Sequence, residues 1–372
     1  MDDDMMPRKN PLQPLLDDPT VRIIFVDGPR RIYVRRAGEQ PEHVQNVEDV
    51  DDSVCHFEDD EHIIHTIREL LLPLGQHIDD TAPIVETVLK DGSHISAILP
   101  PIALNGPIFT LNKAAQSPLS IEDIIDRGGW SEEMVALLRE AVAGRLNIIV
   151  SGGLASGKTT LLRAIATMIP AKERIVMVKH LFDLPHTRTI TLAPRSPDAH
   201  GRGEVTPHDL ITSALRLDCD RLIVNDVEGP EARILLNAMA TKGRGSLASL
   251  SAASPQEALK HLEMQMISAD PTLSNHHARH VIASTLDLIV QAERLPDGTR
   301  VVTHITHVQG LDRDVIRLAD IFFFVRDLTN DGSGTRGQIS QTSQGGSQGG
   351  SRGSFVASHH IDSLRARLQH KA

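Results

Sequence analysis

A chain of 372 residues with a formal net charge of −11 has room for two domains and offers no general attraction to nucleic acid, which needs clustered Lys and Arg. Its two cysteines, Cys55 and Cys219, are far apart with no His/Cys cluster at metal spacing, which argues against a disulfide scaffold or a zinc site and suits a reducing cytosol. No apolar run approaches a bilayer span, and Met1-Asp2-Asp3-Asp4 lacks the basic and apolar regions of a signal peptide, so a soluble protein is expected.

Residues 1–17 are acidic and proline-punctuated and read as disordered. Val21 to Val26 and Arg31 to Val34 read as a hairpin about Asp27-Gly28-Pro29. After an acidic stretch through Asp52, Asp60 is placed to cap a helix with Ile63, Ile64, Ile67, Leu70 and Leu71 on one face, ended by Pro73 and Gly75. Val85 to Lys90 and Ser93 to Leu99 flank the two-residue turn Asp91-Gly92, a strong hairpin signal, and Ile108 to Lys113 adds a strand. These elements make an α+β N-terminal domain over 18–115, with a linker at 116–120.

Past the linker, helical patterns at Ile121 to Asp126 and Glu132 to Ala143 lead into LNIIVSGGLASGKTTLLRAIATM, Leu146 to Met168. An apolar β-branched strand, the run Gly152-Gly153-Leu154-Ala155-Ser156-Gly157-Lys158-Thr159-Thr160 and an amphipathic helix follow in the order a phosphate loop requires. The glycines let backbone N–H groups turn toward phosphate oxygens, Lys158 reaches the β and γ phosphates, and the Thr159 hydroxyl ligates Mg²⁺. ATP with Mg²⁺ is the expected ligand. A chance glycine turn before a helix is the competing reading, and the strand-to-helix context weighs against it.

Strand-like segments at Arg174 to Val178, Thr189 to Leu192, Arg221 to Val224 and Ser246 to Leu250 alternate with helical ones at Asp209 to Leu217, Glu231 to Ala240 and Pro255 to Met264. Such alternation indicates an α/β domain with a largely parallel sheet, over 121–328. Leu288 to Gln291 and Val301 to Ile305, about a turn at Pro296-Asp297-Gly298, suggest a terminal hairpin. Residues 329–354, rich in Gly, Ser and Gln, read as a flexible linker spanning on the order of 25–30 Å. Ile361, Leu364 and Leu368 give 355–372 a short amphipathic helix, either a frayed tail or a tethered docking element. His276, His277 and His280 fall within a helix, and without an acid at zinc-motif spacing they read as a solvated face.

The order of these motifs resembles the type II/IV secretion ATPases, and within them the CpaF/TadA branch of tight-adherence (Flp) pilus ATPases. The likeness runs from about Pro19 to Asp327. It takes in Asp27-Gly28-Pro29, Asp91-Gly92 with Leu99-Pro100-Pro101, the phosphate loop, Gly201-Arg202-Gly203 with Val205-Thr206, and Asp220 to Val227. Further on it takes in Gly245-Ser246-Leu247-Ala248, Ser254-Pro255 with Glu257-Ala258, and Asp287 to Gln291 with Thr303-His304-Ile305-Thr306. The resemblance implies a RecA-like P-loop domain preceded by a smaller α+β domain, ATP held between them, and a hexameric ring of identical or paralogous chains. It also implies a cytoplasmic motor, peripheral to the inner membrane, that engages an integral platform protein of a pilus or secretion machine.

The departures from the family pattern cluster about the γ-phosphate. Lys179 and His180 stand where the resemblance implies two acids, with Asp183 nearby. Two unit charges about 4 Å apart interact by roughly 4 kcal/mol at an effective dielectric of about 20, so the exchange bears directly on metal handling. Asn225 and Asp226 replace Gly and Glu at the end of the Walker B strand, which leaves Asp226 to do the carboxylate work toward Mg²⁺ or the attacking water; the competing reading makes it a helix N-cap. Ser251 replaces a histidine, and Asn112, His208, Asp218 and Glu228 replace arginines. Lys113, Arg195, Arg202 and Arg216 remain as candidate phosphate or intersubunit contacts. Three functions fit: an active secretion or pilus ATPase, a nucleotide-binding regulatory paralogue with weakened hydrolysis, and a DNA-translocating motor, which the acidic net charge disfavours.

Overall fold

Alternating apolar residues build the first sheet. In Val21–Val26 (β1), Val21, Ile24 and Val26 are buried, and the strand pairs antiparallel with Ile32–Arg36 (β2) and Ile108–Asn112 (β6). Glu42–His43 (β3), Ile84–Val88 (β4) and His94–Ile98 (β5) complete an antiparallel sheet of order β3-β2-β1-β6-β5-β4. Asp60–Leu71 (α2) buries Ile63, Ile67 and Leu71 in the core of this unit; its cap is Asp59, one residue before the expected Asp60, whose side chain accepts from the His62 N–H. The computed structural model describes residues 10–36, 42–43, 56–89, 91–113, 119–179, 184, 186, 188–195, 197, 201–241, 244–326, 353–358, 360–361 and 364–365.

Residues 10–17 depart from the expected disorder. Gln13–Asp17 (α1) forms a short helix, with Leu12 and Leu15 wholly buried. The leucine spacing supplies an apolar contact that the acidic average composition of the segment conceals. Lys113 secures this helix, its Nζ donating to the Leu15 carbonyl at 3.0 Å and the Asp18 carbonyl at 2.7 Å.

The chain divides into Met1–Pro118 with Pro197–Gly203, and Leu119–Ser196 with Glu204–Ala372. The second unit is organised by a nine-stranded sheet. Ile148–Gly152 (β7), Ile175–Val178 (β8), Thr189–Leu192 (β9), Arg221–Val224 (β10), Leu247–Ser251 (β11) and Leu288–Arg294 (β12) run parallel in the order β12-β7-β11-β10-β8-β9. Strand residues alternate between two apolar cores. Ile148, Val150, Ile175 and Met177 join the one formed with Glu132–Ala143 (α4) and Lys158–Ala166 (α5), while Ile149, Val176 and Val178 join the other. That second core is covered by Pro207–Arg216 (α6), Glu231–Ala240 (α7), Pro255–Ala269 (α8) and Asn275–Thr285 (α9). A parallel sheet with both faces covered explains the continuous apolar runs of its strands. Ile121–Asp126 (α3), closed by a Ser120/Asp123 capping box, precedes α4.

The expected terminal hairpin is larger than its apolar runs indicated. β12 continues into Arg300–Asp312 (β13) and Val315–Arg326 (β14), both antiparallel, and Gly353–Ala357 (β15) adds a further strand. β15 replaces part of the expected linker and terminal helix; only 360–361 and 364–365 are helical among the described residues there. Gly353-Ser354-Phe355-Val356-Ala357 carries too short an apolar alternation to announce a strand without its partner. Asn147 fixes the start of β7: its side chain donates to the Met239 and Thr285 carbonyls and accepts from the Gly245 and Ser246 N–H groups, at 2.8 to 3.2 Å.

Candidate phosphate-binding site

β7 ends at Gly152, between two parallel neighbours, and α5 begins at Lys158. The chain reverses across Gly153 to Gly157, with Ala155 at φ 57° and Gly157 at φ 95°, both left-handed. A Cβ on Gly152 would stand against Ser156 Oγ and 2.5 Å from the Ala292 carbonyl oxygen, so the close approach of β7 to β12 requires glycine. Gly157 is the N-cap of α5 and makes no side-chain cap, which leaves the first-turn N–H groups open to an anion. Ser156 is buried with its hydroxyl unpartnered, and Leu154 projects into solvent at the loop tip.

Lys158 folds back over this loop, its Nζ 3.0 Å from both the Gly152 and Gly153 carbonyls. Burial lowers its pKa, and the field of Asp226 and Glu228 works in the opposite direction. The structure therefore brings together Lys158 and Asp226, which lie far apart in sequence. Asp226 follows β10 with φ 52°, its N–H donating to Ser249 Oγ at 2.9 Å, and its Oδ1 is buried without a partner. Ser249 Oγ donates in turn to Asn225 Oδ1 at 2.9 Å, so β11 fixes the turn that presents Asp226. The N-cap of α7 is Pro230, which removes the capping role weighed for Asp226.

Two further acids belong here. Desolvation and the neighbouring Asp226, with which it shares a hydrogen bond, raise the Glu228 carboxyl above its ordinary range. Glu231 is buried at the head of α7; burial disfavours its charge, but backbone N–H groups and Lys179 outweigh that and hold its pKa low. Lys179, at φ 62° after β8, donates to the Asp226 carbonyl at 2.6 Å and to Glu231 Oε1 at 3.2 Å. The cation expected to disturb metal handling is thus engaged as a clamp between the strand end and α7. His180 and Asp183 lie outside the described residues.

The donor set suits a hard cation. A buried unpartnered Asp226 oxygen, the Glu228 carboxyl beside it and the Thr159 hydroxyl on the first turn of α5 are all oxygen ligands, as Mg²⁺ prefers. No group of three or more His, Cys, Asp or Glu able to hold a metal occurs among the described residues. Along the other side of the loop lies a cavity of about 450 Å³, lined by Ser156, Thr160, Arg127, Gly129, Thr299 and Arg300. Its volume suits a base and ribose. Arg300 on β13 donates through Nε to the Ala155 carbonyl at 3.0 Å and packs over Gly157, bracing the loop from the β12–β13 turn.

Glu228, Glu231, Ser249 and Arg300 escaped the sequence reading as site residues. Glu228 and Glu231 follow Asp226 closely enough to have been tested as partners; Ser249 and Arg300 depend on strand order, which no local pattern carries. Among the other candidates, Lys113 and Arg202 belong to the first unit, Arg195 pairs through its backbone with Val205, and Arg216 is exposed in the last turn of α6. On α9, His276 is exposed and its Nδ1 lies 2.7 Å from Asp314 Oδ1.

A family model described as Type II/IV secretion system protein matches residues 7–310. The probable conjugal transfer protein TrbB of Sinorhizobium fredii is 30% identical over 290 residues, covering 77% of this chain and 83% of that protein. The type IV secretion system protein VirB11 of Brucella suis is 26% identical over 320 residues, covering 78% and 86%. Among solved structures, the ATPase DotB of Legionella pneumophila superposes with a TM-score of 0.55 at 14% identity over 84% of each chain. The pilus retraction motor PilT, solved with ADP, gives 0.52 at 14% identity over 77% of this chain and 78% of that one. At such identity these two structures establish a shared fold.

Proposed function

Because the chain belongs to the type II/IV secretion system protein family, we propose that it is an ATP-binding motor subunit of a secretion or pilus machine. The observation that carries this reading is the juxtaposition of an uncapped, glycine-built phosphate loop with Lys158 and the Asp226–Glu228 pair. On binding, the Lys158 ammonium exchanges the Gly152 and Gly153 carbonyls for phosphate oxygens, and the N–H groups of the α5 first turn face the same anion. Thr159 and Asp226 would hold Mg²⁺, which supplies charge neutralisation of the phosphates when bound. Glu228, whose carboxyl is biased toward accepting a proton, stands beside Asp226 to orient water.

The wider reading is that several copies, or this chain with a paralogue, form a ring that couples nucleotide-driven closure to an inner-membrane platform from the cytoplasmic side. Consistent with peripheral attachment, no helix among the described residues is long and apolar enough to cross a membrane. The narrower assignment to the tight-adherence pilus branch rests on motif order alone. A second reading, a nucleotide-binding regulatory paralogue with weakened hydrolysis, is favoured by Asp226 and Ser251, which stand where the family pattern has Glu and His.

Calorimetric titration of Mg·ATP and phosphate release, measured on the same full-length protein with Lys158→Ala and Asp226→Asn, separates the two. Binding with release that both variants abolish is the outcome expected of a motor. Binding without release above the variants' background assigns the regulatory reading, and unchanged affinity in Lys158→Ala refutes the site itself.

A further inference from the structure

Two arginines, Arg127 and Arg300, line the cavity beside the phosphate loop, and a third, Arg294, stands opposite Arg300 in the β12–β13 hairpin. All three belong to the second unit. Arg294 and Arg300 are a directly opposed cross-strand pair, an arrangement that like charges make unfavourable. The turn nonetheless fixes them there: the Thr299 N–H donates to Asp297 Oδ1 at 2.9 Å, and the Leu295 N–H to the Thr299 carbonyl at 2.7 Å. Asp126 and Asp297 line the same cavity, yet none of the three arginines forms an ion pair among the described residues.

Arg300 is the member that reaches the loop. Its Nε donates to the Ala155 carbonyl, and its Cδ would stand 3.0 Å from a Cβ on Gly157, the N-cap of α5. Its two Nη groups have no partner among the described residues. A cation at a helix N-terminus opposes the helix dipole. Desolvation, then Arg294 and Arg127, push the Arg300 pKa below its ordinary value, although the residue keeps contact with solvent. In the same cavity wall Ser156, 3% exposed, carries a hydroxyl without a partner. Opposed arginines, a cation on a helix N-terminus, unfilled Nη donors and a stranded hydroxyl are each unfavourable alone, and one anion relieves them together.

The geometry points to Arg300 as a direct ligand of the nucleotide's phosphate chain at the join of loop and cavity, with Arg127 and Arg294 reinforcing its charge and Ser156 supplying a neutral donor. This rests on the phosphate-loop reading above and adds to it a second cation besides Lys158. A guanidinium presents its donors as a planar fork, so the Nη groups can take phosphate oxygens while Nε keeps the Ala155 carbonyl.

Arg300→Gln separates this role from the brace, because the glutamine amide nitrogen takes the place of Nε and can still donate to Ala155, while the charge and both Nη groups are gone. ATP and inorganic tripolyphosphate, which has neither base nor ribose, are titrated calorimetrically into full-length chains. Arg300→Gln should lose about tenfold or more in affinity for both ligands by the same factor, and Arg300→Lys, which keeps the charge, should lose less. On the parent chain, tripolyphosphate should protect Arg300 from phenylglyoxal, read by peptide mass spectrometry, while the exposed Arg317 is labelled as before. Affinities in Arg300→Gln equal to the parent's, or labelling of Arg300 that tripolyphosphate leaves unchanged, overturn the proposal. A loss confined to ATP overturns it as well, by making Arg300 a base or ribose contact. A parent chain that binds neither ligand refutes the phosphate-loop reading itself, and this one with it.

Discussion

Replacing Lys179 with methionine keeps most of the stem and removes the ammonium, which isolates the clamp between Asp226 and Glu231. The Lys179 and Glu231 side chains are 22% and 6% exposed, and their charged atoms stand 3.2 Å apart. At an effective dielectric of about 20 that separation corresponds to about 5 kcal/mol of attraction, much of which offsets desolvation. Breaking such a buried pair strands a carboxylate, and Lys179→Met should cost about 3–5 kcal/mol. For a unit of this size the melting temperature should fall on the order of 10 °C. Lys179→Met/Glu231→Gln, which removes both charges, should recover all but about 1 kcal/mol. Trp130 is the chain's single tryptophan and is buried in the second unit, so its fluorescence during urea and thermal unfolding reports that unit. An unchanged unfolding curve for Lys179→Met, or a double variant as unstable as the single one, would refute the clamp. A large loss of ATP affinity at unchanged stability would instead make Lys179 a phosphate ligand.

Two other outcomes bear on the same site. Arg300→Ala should release the Ala155 carbonyl and weaken ATP binding about tenfold with little change in unfolding, as judged by calorimetry; equal affinities would mean that the loop holds its shape unaided. Because Glu228 has a folded-state pKa raised above its ordinary 4.5, its ionisation opposes folding, a cost absent below the unfolded value and growing as pH rises through the folded one. Glu228→Gln should therefore melt higher than the parent at pH 7.5 and match it near pH 4, and a difference that grew toward low pH would reverse the assignment.

The strand, turn and helix that carry the candidate phosphate loop were legible because every part is local: a β-branched strand, glycines where the backbone must turn or pass closely, and a lysine at a fixed offset. The parallel strands were legible for a similar reason, since burial on both faces leaves long apolar runs at β7, β8 and β10. The acidic side of the site was only partly so. Asp226 is identified by its place at a strand end, whereas the roles of Glu228, Lys179 and Ser249 depend on β8, β10 and β11 lying side by side, a long-range fact. A cation in place of an acid at position 179 looked like damage to metal handling, yet in three dimensions its charge is matched by Glu231. The first helix was missed because leucines at 12 and 15 sit among acids and prolines, and β15 because its pairing edge lies across residues 327–352.

The position of β7 has one more consequence, for the entropy of binding. This strand is hydrogen-bonded on both sides, to β11 and β12, at the interior of a nine-stranded sheet. Its amides, from Ile148 to Ser151, belong among the last to exchange with deuterium, because opening them requires most of the second unit to unfold. On the proposed reading, a phosphate at Gly152 would meet backbone already immobilised by the fold, so little of its interaction energy would be spent on ordering the strand that presents the loop. The gradient runs outward from there to the edge strands β9 and β15, so the strand that presents the candidate loop lies at the protected end of the sheet's range of local stability.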